Sequence, residues 1–182
     1  MNKSIFLDKD GTLVDNSGYP DIVPSDKIYF KHTVNGLKKF QEAGYLLIII
    51  SNQSWISKGR KTEKEIEKIF KSTISQYNTK GVNINSYYYC PHQESDNCNC
   101  RKPKTGLIEK AIKDFNIEIK NSFIIGDREH DILLGKNMGL KTCLVKTGEG
   151  KNYDSSTRPD YEAEDINEMA KIILKIKGKN ER

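Results

Sequence analysis

Apolar and polar positions alternate in two different ways along this chain. Short runs of apolar residues are followed by longer segments in which apolar residues recur every three to four positions. The first pattern is typical of buried strands and the second of helices, so we predict βα repeats, that is, an α/β fold with a doubly wound parallel sheet. The predicted strands are residues 4–7, 46–51, 86–89, 122–125 and 141–145.

The segments between the strands predict five helices and two irregular stretches. The clearest helix start is a capping box of Thr62 and Glu65, and the clearest stop is Gly44 after the first helix. The polar, glycine-containing residues 148–159 predict a mobile loop, and residues 178–182 predict a frayed tail. The predicted helices lie near residues 33–43, 62–74, 107–115, 132–138 and 165–176.

The composition suits a single globular domain over residues 1–182, with 30% charged and 36% apolar residues and a net charge of +5. The basic residues form no block with interleaved aromatic residues, so nucleic-acid binding is not indicated. Residues 45–50 are too few for a membrane span, and residues 5–7 are too few for a signal peptide. We therefore expect a cytoplasmic monomer with neither a nucleic-acid nor a membrane partner, whose cysteines are reduced.

The first predicted strand ends in two acidic residues and a glycine turn. Asp8 and Asp10 are two positions apart, so both carboxylates leave the strand in the same direction. They repel each other unless a cation lies between them, and oxygen ligands suit Mg²⁺. One carboxylate could attack phosphorus while the other transfers the proton. The alternative, equally favoured by this segment alone, is a strand followed by an Asp-Gly hairpin turn.

Polar residues also follow the second and fourth predicted strands. Ser51 to Ser54 end an apolar run, where a hydroxyl can bind a phosphate oxygen, although the same residues are common turn formers. Asp127 follows Gly126 at the other strand end and could share a metal with Asp8. Asp131 suits either a helix cap or support of that metal, the cap being slightly favoured. His130 is expected to be an exposed loop residue.

Three of the four cysteines lie close to a histidine. Cys90, His92, Cys98 and Cys100 form a Cys3His set, which is a standard tetrahedral zinc site. With four protein ligands the zinc has a structural rather than a catalytic role; the alternative is a group of free thiols. Cys143 lies in an apolar strand and is predicted to be part of the core.

Two cations follow this cluster directly. Arg101 can grip a phosphate through two N–H groups, and Lys102 can act as a point charge on a phosphoryl group that is being transferred. The alternative is a solvated basic turn, which is the interpretation that we prefer for Lys104.

Taken together, these motifs resemble those of a known family. The D-x-D-G-T at residues 8–12, Ser51, Lys102 and the G-D-x-x-x-D at residues 126–131 are similar to the four motifs of the haloacid dehalogenase (HAD) superfamily of phosphotransferases. Residues 88–103 resemble its zinc-loop branch. The resemblance covers residues 4–145. It implies a Rossmann-like fold of the HAD type, without a large cap domain and with a short zinc loop at residues 90–102.

The resemblance also implies a role for each motif. Asp8 would be the nucleophile, and Asp10 the general acid and then the general base. Mg²⁺ would be held by Asp8, the Asp10 carbonyl and Asp127, and the phosphoryl group would be stabilised by Ser51 and Lys102. The residues that would contact the substrate are Asn16, Ser17, Gly18, Tyr19, Asn52, Gln53, Ser54, Arg101 and Arg128.

The implied function is a Mg²⁺-dependent sugar-phosphate phosphatase that removes the 7-phosphate of a heptose bisphosphate and feeds lipopolysaccharide or other surface-polysaccharide heptose synthesis. The alternatives are a histidinol-phosphate phosphatase and a non-catalytic, zinc-stabilised binding module.

Three positions depart from the family pattern. Lys9 replaces an arginine between the two aspartates, and its side chain is expected to point away from them. Arg128 replaces a lysine, and Trp55 replaces a glycine at the edge of the pocket, where an indole could alter which sugar fits.

Overall fold

The computed structural model describes residues 1–15 and 32–180, so the predicted substrate contacts Asn16, Ser17, Gly18 and Tyr19 lie outside the described residues. Six parallel strands form one sheet: β1 (Lys3–Leu7), β2 (Tyr45–Asn52), β3 (Ser86–Cys90), β4 (Phe123–Gly126), β5 (Lys141–Val145) and β6 (Tyr161–Ala163). Their order is β3-β2-β1-β4-β5-β6. The five predicted strands are confirmed, with ends shifted by at most one residue.

Helices cover both faces of the sheet, as the doubly wound prediction requires. Successive strand residues point to opposite faces, so Ile5 and Leu7 pack with Leu37 in one core cluster while Phe6 packs with Ile108 in another. The helices are α1 (Thr33–Glu42), α2 (Glu63–Thr79), α3 (Gly106–Phe115), α4 (Glu129–Met138) and α5 (Ile166–Asn180). Helices α1, α2 and α5 contribute to the first cluster, and α3 and α4 to the second.

Helix starts follow the predicted capping signals. The Thr62 hydroxyl accepts from the Glu65 backbone N–H, and the Glu65 carboxylate accepts from the Thr62 N–H at 2.7 Å. Asp165 accepts from the Glu168 N–H ahead of α5. Helix α5 continues through Gly178 to Asn180, so helical structure extends past the glycine at which a tail is predicted to begin. No helix in residues 1–15 and 32–180 is long and apolar enough to cross a membrane.

The sequence prediction missed the last strand. β6 has only three residues, Tyr161–Ala163, which is too short to show a periodic pattern, and it pairs with the edge of β5. The predicted loop 148–159 is also partly regular, because Gly148–Asn152 form a 3₁₀ turn. This turn matters for the site, because its Glu149 N–H donates to an Asp127 carboxylate oxygen at 2.8 Å.

The strand order places the polar strand ends together. The chain proceeds from β1 outward to β3 and then returns to β4 on the other side of β1. The sheet therefore has its topological switch point between β1 and β4, and ligands of such sheets bind beyond the carboxyl ends of the strands at this point. Asp8 follows β1 and Asp127 follows β4, so both lie at the switch point.

Candidate active site

Asp8 and Asp10 leave the end of β1 through a tight turn. The Asp8 N–H donates to the Ile125 carbonyl at 2.9 Å, which continues the pairing with β4. Gly11 follows with a φ of +94°, and a Cβ at that position would lie 2.2 Å from an Asp127 carboxylate oxygen. Because β1 pairs in parallel with both β2 and β4, the alternative of an Asp-Gly hairpin is wrong.

Three buried carboxylates meet at the switch point. The carboxylate oxygens of Asp8, Asp127 and Asp131 lie within 4.8 Å of one another. We call these three residues the carboxylate cluster. Asp131 also accepts from the Arg128 N–H at 3.2 Å at the start of α4, which is the helix-cap role considered from the sequence, while it lies close to the other two carboxylates.

Lys102 inserts its ammonium group into the carboxylate cluster. Its Nζ donates to Asp8 Oδ1 at 2.5 Å, to Asp131 Oδ1 at 2.7 Å and to the Ile50 carbonyl at 2.9 Å. The side chain is buried, with 4% exposure for the whole residue. The solvated-turn alternative is therefore wrong for Lys102, whereas Lys104 is exposed and donates to Asn97.

The electrostatics of the cluster follow from its burial. Burial raises the pKa of Asp8 to about 8; Lys102 opposes the rise, while Asp131, Asp127 and Asp10 add to it. Burial and Asp131 raise the pKa of Asp127 to about 6, against the hydrogen bond from the Glu149 N–H. Burial acts to lower the pKa of Lys102, but the attraction of Asp131 and Asp8 outweighs it, so that pKa is raised. One lysine thus faces three carboxylates.

This donor set fits a hard divalent cation. A buried group of oxygen ligands with excess negative charge is the environment that Mg²⁺ prefers, because the ion offsets repulsion that Lys102 alone does not. The Asp127 carboxylate is already oriented, since one oxygen accepts from the Glu149 N–H and the other from the Thr12 hydroxyl at 3.3 Å.

Asp10 is held by two donors that the sequence analysis placed elsewhere. Lys9 is buried, and its Nζ forms an ion pair with Asp10 Oδ1, so the expectation that Lys9 points away from the aspartates is wrong. Gln53 Nε2 donates to Asp10 Oδ2 at 2.9 Å and to Ser51 Oγ at 2.8 Å. Gln53 is 2% exposed and is not among the residues that line the cavity above this site, whereas a substrate contact is expected from the sequence.

Cys90 ends β3, and His92, Cys98 and Cys100 lie on the short loop that follows it. The potential ligand atoms of Cys90, His92, Cys98 and Cys100 lie within 4.8 Å of one another, and we call these residues the Cys–His cluster. Its sulfur–sulfur distances are 3.2–3.5 Å, far longer than a disulfide. His92 Nδ1 lies 3.4 Å from the Cys100 sulfur and 3.6 Å from the Cys90 sulfur.

The cluster fits a tetrahedral zinc ion. With Zn–S bonds of about 2.3 Å, a tetrahedron has edges of about 3.8 Å, close to the spacing observed here. Burial acts to raise the pKa of Cys98, but hydrogen bonds from the Arg101 N–H and the Cys100 thiol outweigh it and lower that pKa to about 6. Burial raises the pKa of Cys90 and Cys100. Cys143 is buried in β5, as predicted.

The loop of residues 91–102, which we call the Cys–His loop, is hydrogen-bonded to β2 at its end. The Lys102 N–H donates to Asn52 Oδ1 at 2.9 Å, and Asn52 Nδ2 donates back to the Lys102 carbonyl at 3.2 Å. The Arg101 guanidinium donates to the His92 carbonyl at 3.2 Å. These hydrogen bonds hold Arg101 and Lys102 at the carboxyl-terminal edge of the sheet.

A polar cavity of about 350 Å³ lies above the carboxylate cluster. Four cations line it, two of which, Lys58 and Arg128, come from segments outside the Cys–His loop. No motif in the sequence indicates Lys58 as a site residue. His130 is predicted to be exposed on a loop; it is exposed, but it lies in the first turn of α4 and lines the cavity. The lining residues are Asp8, Asp10, Ser51, Asn52, Ser54, Trp55, Lys58, Arg101, Lys102, Arg128, His130 and Asp131.

Comparisons with known proteins agree with this geometry. A family model described as HAD-hydrolase-like matches residues 99–169. D-glycero-beta-D-manno-heptose-1,7-bisphosphate 7-phosphatase of Pasteurella multocida is 35% identical over 98% of this chain and 100% of its own length. D-glycero-alpha-D-manno-heptose-1,7-bisphosphate 7-phosphatase of Photorhabdus laumondii is 38% identical over 80% of this chain and 84% of its own length.

The fold is also shared with a solved structure. D,D-heptose 1,7-bisphosphate phosphatase from B. bronchiseptica, complexed with magnesium and phosphate, superimposes with a TM-score of 0.85 at 22% identity, covering 96% of this chain and 99% of that one. The fold and the site thus define a phosphomonoester hydrolase of the HAD type. Within that class, the chain belongs to the family of the D-glycero-D-manno-heptose-1,7-bisphosphate 7-phosphatases.

Proposed function

We propose that this enzyme removes the 7-phosphate of D-glycero-D-manno-heptose 1,7-bisphosphate in a Mg²⁺-dependent reaction and so supplies heptose for surface polysaccharides. The observation that carries the proposal is the meeting of Asp8, Asp127, Asp131 and Lys102 under a cation-lined cavity. The names of the relatives supply the substrate class. The intact pair of Asp8 and Asp10 argues against a non-catalytic binding module.

The chemistry begins at Asp8. One carboxylate oxygen attacks phosphorus in line, the bond from phosphorus to the sugar oxygen breaks, and an aspartyl phosphate forms on Asp8. Asp10, two residues further on and lining the same cavity, protonates the leaving sugar oxygen. Asp10 then takes a proton from the water that attacks the aspartyl phosphate, which releases inorganic phosphate and restores Asp8.

The phosphoryl group needs positive charge around its oxygens. Lys102, which lies at the Asp8 carboxylate, would supply this charge, and the Ser51 hydroxyl would donate a hydrogen bond to a phosphoryl oxygen. Asp8, the Asp10 carbonyl and Asp127 would hold Mg²⁺, and Asp131 would keep Lys102 in place from the other side. When bound, the ion would offset the charge that develops on the phosphoryl oxygens.

The Cys–His cluster would hold a structural zinc ion. Its four ligand atoms leave no position open for a substrate, and the chain enters the active site directly after the last cysteine. The zinc would thereby keep the positions of Arg101 and Lys102 constant.

The remaining cavity residues would select the substrate. Arg101 would bind the phosphate that is not cleaved, at position 1, while Asn52, Ser54 and Arg128 would line the sugar site. Trp55 lies at the cavity wall, and the Arg60 guanidinium lies over its ring, with Cζ 5.3 Å from the ring centroid. The proposed substrate contacts at Asn16 to Tyr19 complete this set.

A turnover panel tests the proposal. It compares both anomers of the heptose 1,7-bisphosphate, because relatives carry both names, with histidinol phosphate and with other sugar phosphates. We expect a heptose bisphosphate to have the highest kcat/KM and magnesium chelation to abolish turnover reversibly. Preference for histidinol phosphate, or the absence of phosphatase activity in the zinc-loaded protein with added Mg²⁺, would overturn the proposal.

A further inference from the structure

Gln53 occupies an unusual place in this site. It is buried and does not line the cavity, yet its side-chain nitrogen lies 2.9 Å from Asp10 Oδ2 and 2.8 Å from Ser51 Oγ. A single amide therefore bridges the Asp10 carboxylate and the Ser51 hydroxyl.

The chemistry of the neighbours determines the orientation of the amide. An ionised carboxylate only accepts hydrogen bonds, so the NH₂ group and not the carbonyl oxygen of Gln53 must face Asp10. The NH₂ group has two hydrogens, which suffice for Asp10 and for Ser51. With the Asp10 carboxylate paired to the Lys9 ammonium, this orientation satisfies both hydrogen bonds.

The hydrogen bond from Gln53 restricts where the Ser51 hydroxyl proton can point. Its oxygen accepts from Gln53, so its own proton must point elsewhere. Within residues 1–15 and 32–180 the Ser51 hydroxyl donates to no acceptor, although the residue is buried and its side chain borders the cavity. The proton is thus free to be donated to a phosphoryl oxygen.

We propose that Gln53 is a positioning residue, which holds the Asp10 carboxylate for proton transfer and makes the Ser51 hydroxyl a donor to the transferred phosphoryl group. The inference rests on the proposed phosphatase chemistry, but it assigns to Gln53 a role other than contact with the sugar. Lys9 holds the second oxygen of Asp10 by an ion pair, so loss of Gln53 weakens the placement of Asp10 without releasing it.

The kinetic signature separates positioning from substrate contact. We expect Gln53→Met, which fills nearly the same volume, to lower kcat by roughly ten- to a hundredfold with KM nearly unchanged, as for the loss of a hydrogen bond to a charged group. The loss should be equal for heptose 1,7-bisphosphate and for phenyl phosphate, which has neither a sugar nor a second phosphate. A substrate contact would instead raise KM for the bisphosphate and spare phenyl phosphate.

Three further variants serve as controls for this test. Gln53→Asn retains an amide but shortens it by one methylene, and should show the same kcat loss if Gln53→Met does not fold. Gln41→Met removes an exposed glutamine amide that accepts from the Asn83 N–H at the other end of the sheet, and should leave kcat unchanged. In Ser51→Ala, the additional loss caused by Gln53→Met should be smaller than in wild type, because Gln53 acts partly through Ser51.

The outcomes distinguish this inference from the proposed function. Full turnover of phenyl phosphate by folded Gln53→Met and Gln53→Asn, or a loss confined to KM for the bisphosphate, would overturn the positioning role. A wild-type enzyme that hydrolyses phenyl phosphate but not the heptose bisphosphate would overturn the proposed substrate and leave the test of Gln53 intact.

Discussion

The carboxylate cluster and the Cys–His cluster are built in opposite ways. Asp8, Asp127 and Asp131 come from two different strand ends and a helix start, and only the order of the strands brings them together. The Cys–His cluster lies within residues 90–100 and needs only one loop. A site of distant residues depends on the whole fold, whereas a local site can form its own rigid unit.

The two clusters also differ in charge and burial. The three carboxylates are buried and share Lys102 as a counter-charge, whereas His92 and two of the three cysteines of the Cys–His cluster are only partly buried. Lys102 connects the two regions, because it follows Cys100 by two residues and ends between Asp8 and Asp131. The loop that carries the Cys–His cluster therefore positions Lys102 in the carboxylate cluster.

The largest effect is expected at the nucleophile. We expect Asp8→Asn to abolish turnover while leaving the fold and the metal content of the Cys–His cluster unchanged, because an amide cannot form the aspartyl phosphate. Steady-state turnover, circular dichroism and zinc analysis check this. Steady turnover above roughly a thousandth of wild type, in protein free of contaminating phosphatase, would be incompatible with a nucleophilic Asp8.

The second prediction concerns the local cluster. Cys98→Ser should lower zinc from about one ion per chain and loosen the loop that carries Arg101 and Lys102, so that kcat falls although every carboxylate is intact. The matched control is Cys143→Ser, at the cysteine of β5 outside the cluster, which should keep its zinc. Metal analysis that finds no tightly bound zinc in freshly purified wild type would remove the structural-zinc assignment.

The third prediction separates the two adjacent cations. Arg101→Ala should raise KM for the bisphosphate and lower kcat/KM by roughly ten- to a hundredfold, while a monophosphate analogue is nearly unaffected. Lys102→Ala should instead lower kcat for every substrate, because Lys102 contacts Asp8 itself. Equal losses for bisphosphate and monophosphate in Arg101→Ala would mean that Arg101 serves the reacting phosphate.

The smallest expected effect is on stability. The pKa of Asp8 is raised from 3.8 to about 8, so between these pH values the folded state binds more protons than the unfolded state. This contribution to the stability of the metal-free protein is complete below about pH 4 and is lost as pH rises towards about 8. The Tm of the metal-free wild type should therefore fall over this range by more than that of Asp8→Asn.

Added Mg²⁺ should change the Tm of wild type and of Asp8→Asn by different amounts. Binding to the ionised carboxylates should raise the Tm of wild type at the alkaline end of this range and leave that of Asp8→Asn less changed, because one ligand is lost. Thermal melts with and without Mg²⁺ measure both effects. A Tm difference between metal-free wild type and Asp8→Asn that does not change with pH between about 4 and 8 would show that burial does not dominate at Asp8.

The features that depend on neighbouring residues follow from the amino-acid sequence alone. Strand and helix positions follow from the spacing of apolar residues, since a strand repeats every two residues and a helix every 3.6. The common direction of Asp8 and Asp10 and the grouping of the cysteines with His92 follow from short spacings in the same way. These are the parts of the fold and of the candidate site that were predicted with few errors.

Contacts between groups that are distant in the sequence depend on the tertiary fold. No local pattern shows that Lys102 lies between Asp8 and Asp131, because that contact depends on strand order and on the path of the Cys–His loop. The same holds for Gln53, which leaves the end of β2 and turns towards Asp10 rather than towards the sugar site. Burial then makes these contacts matter, because charges out of water interact strongly with whichever partner the fold supplies.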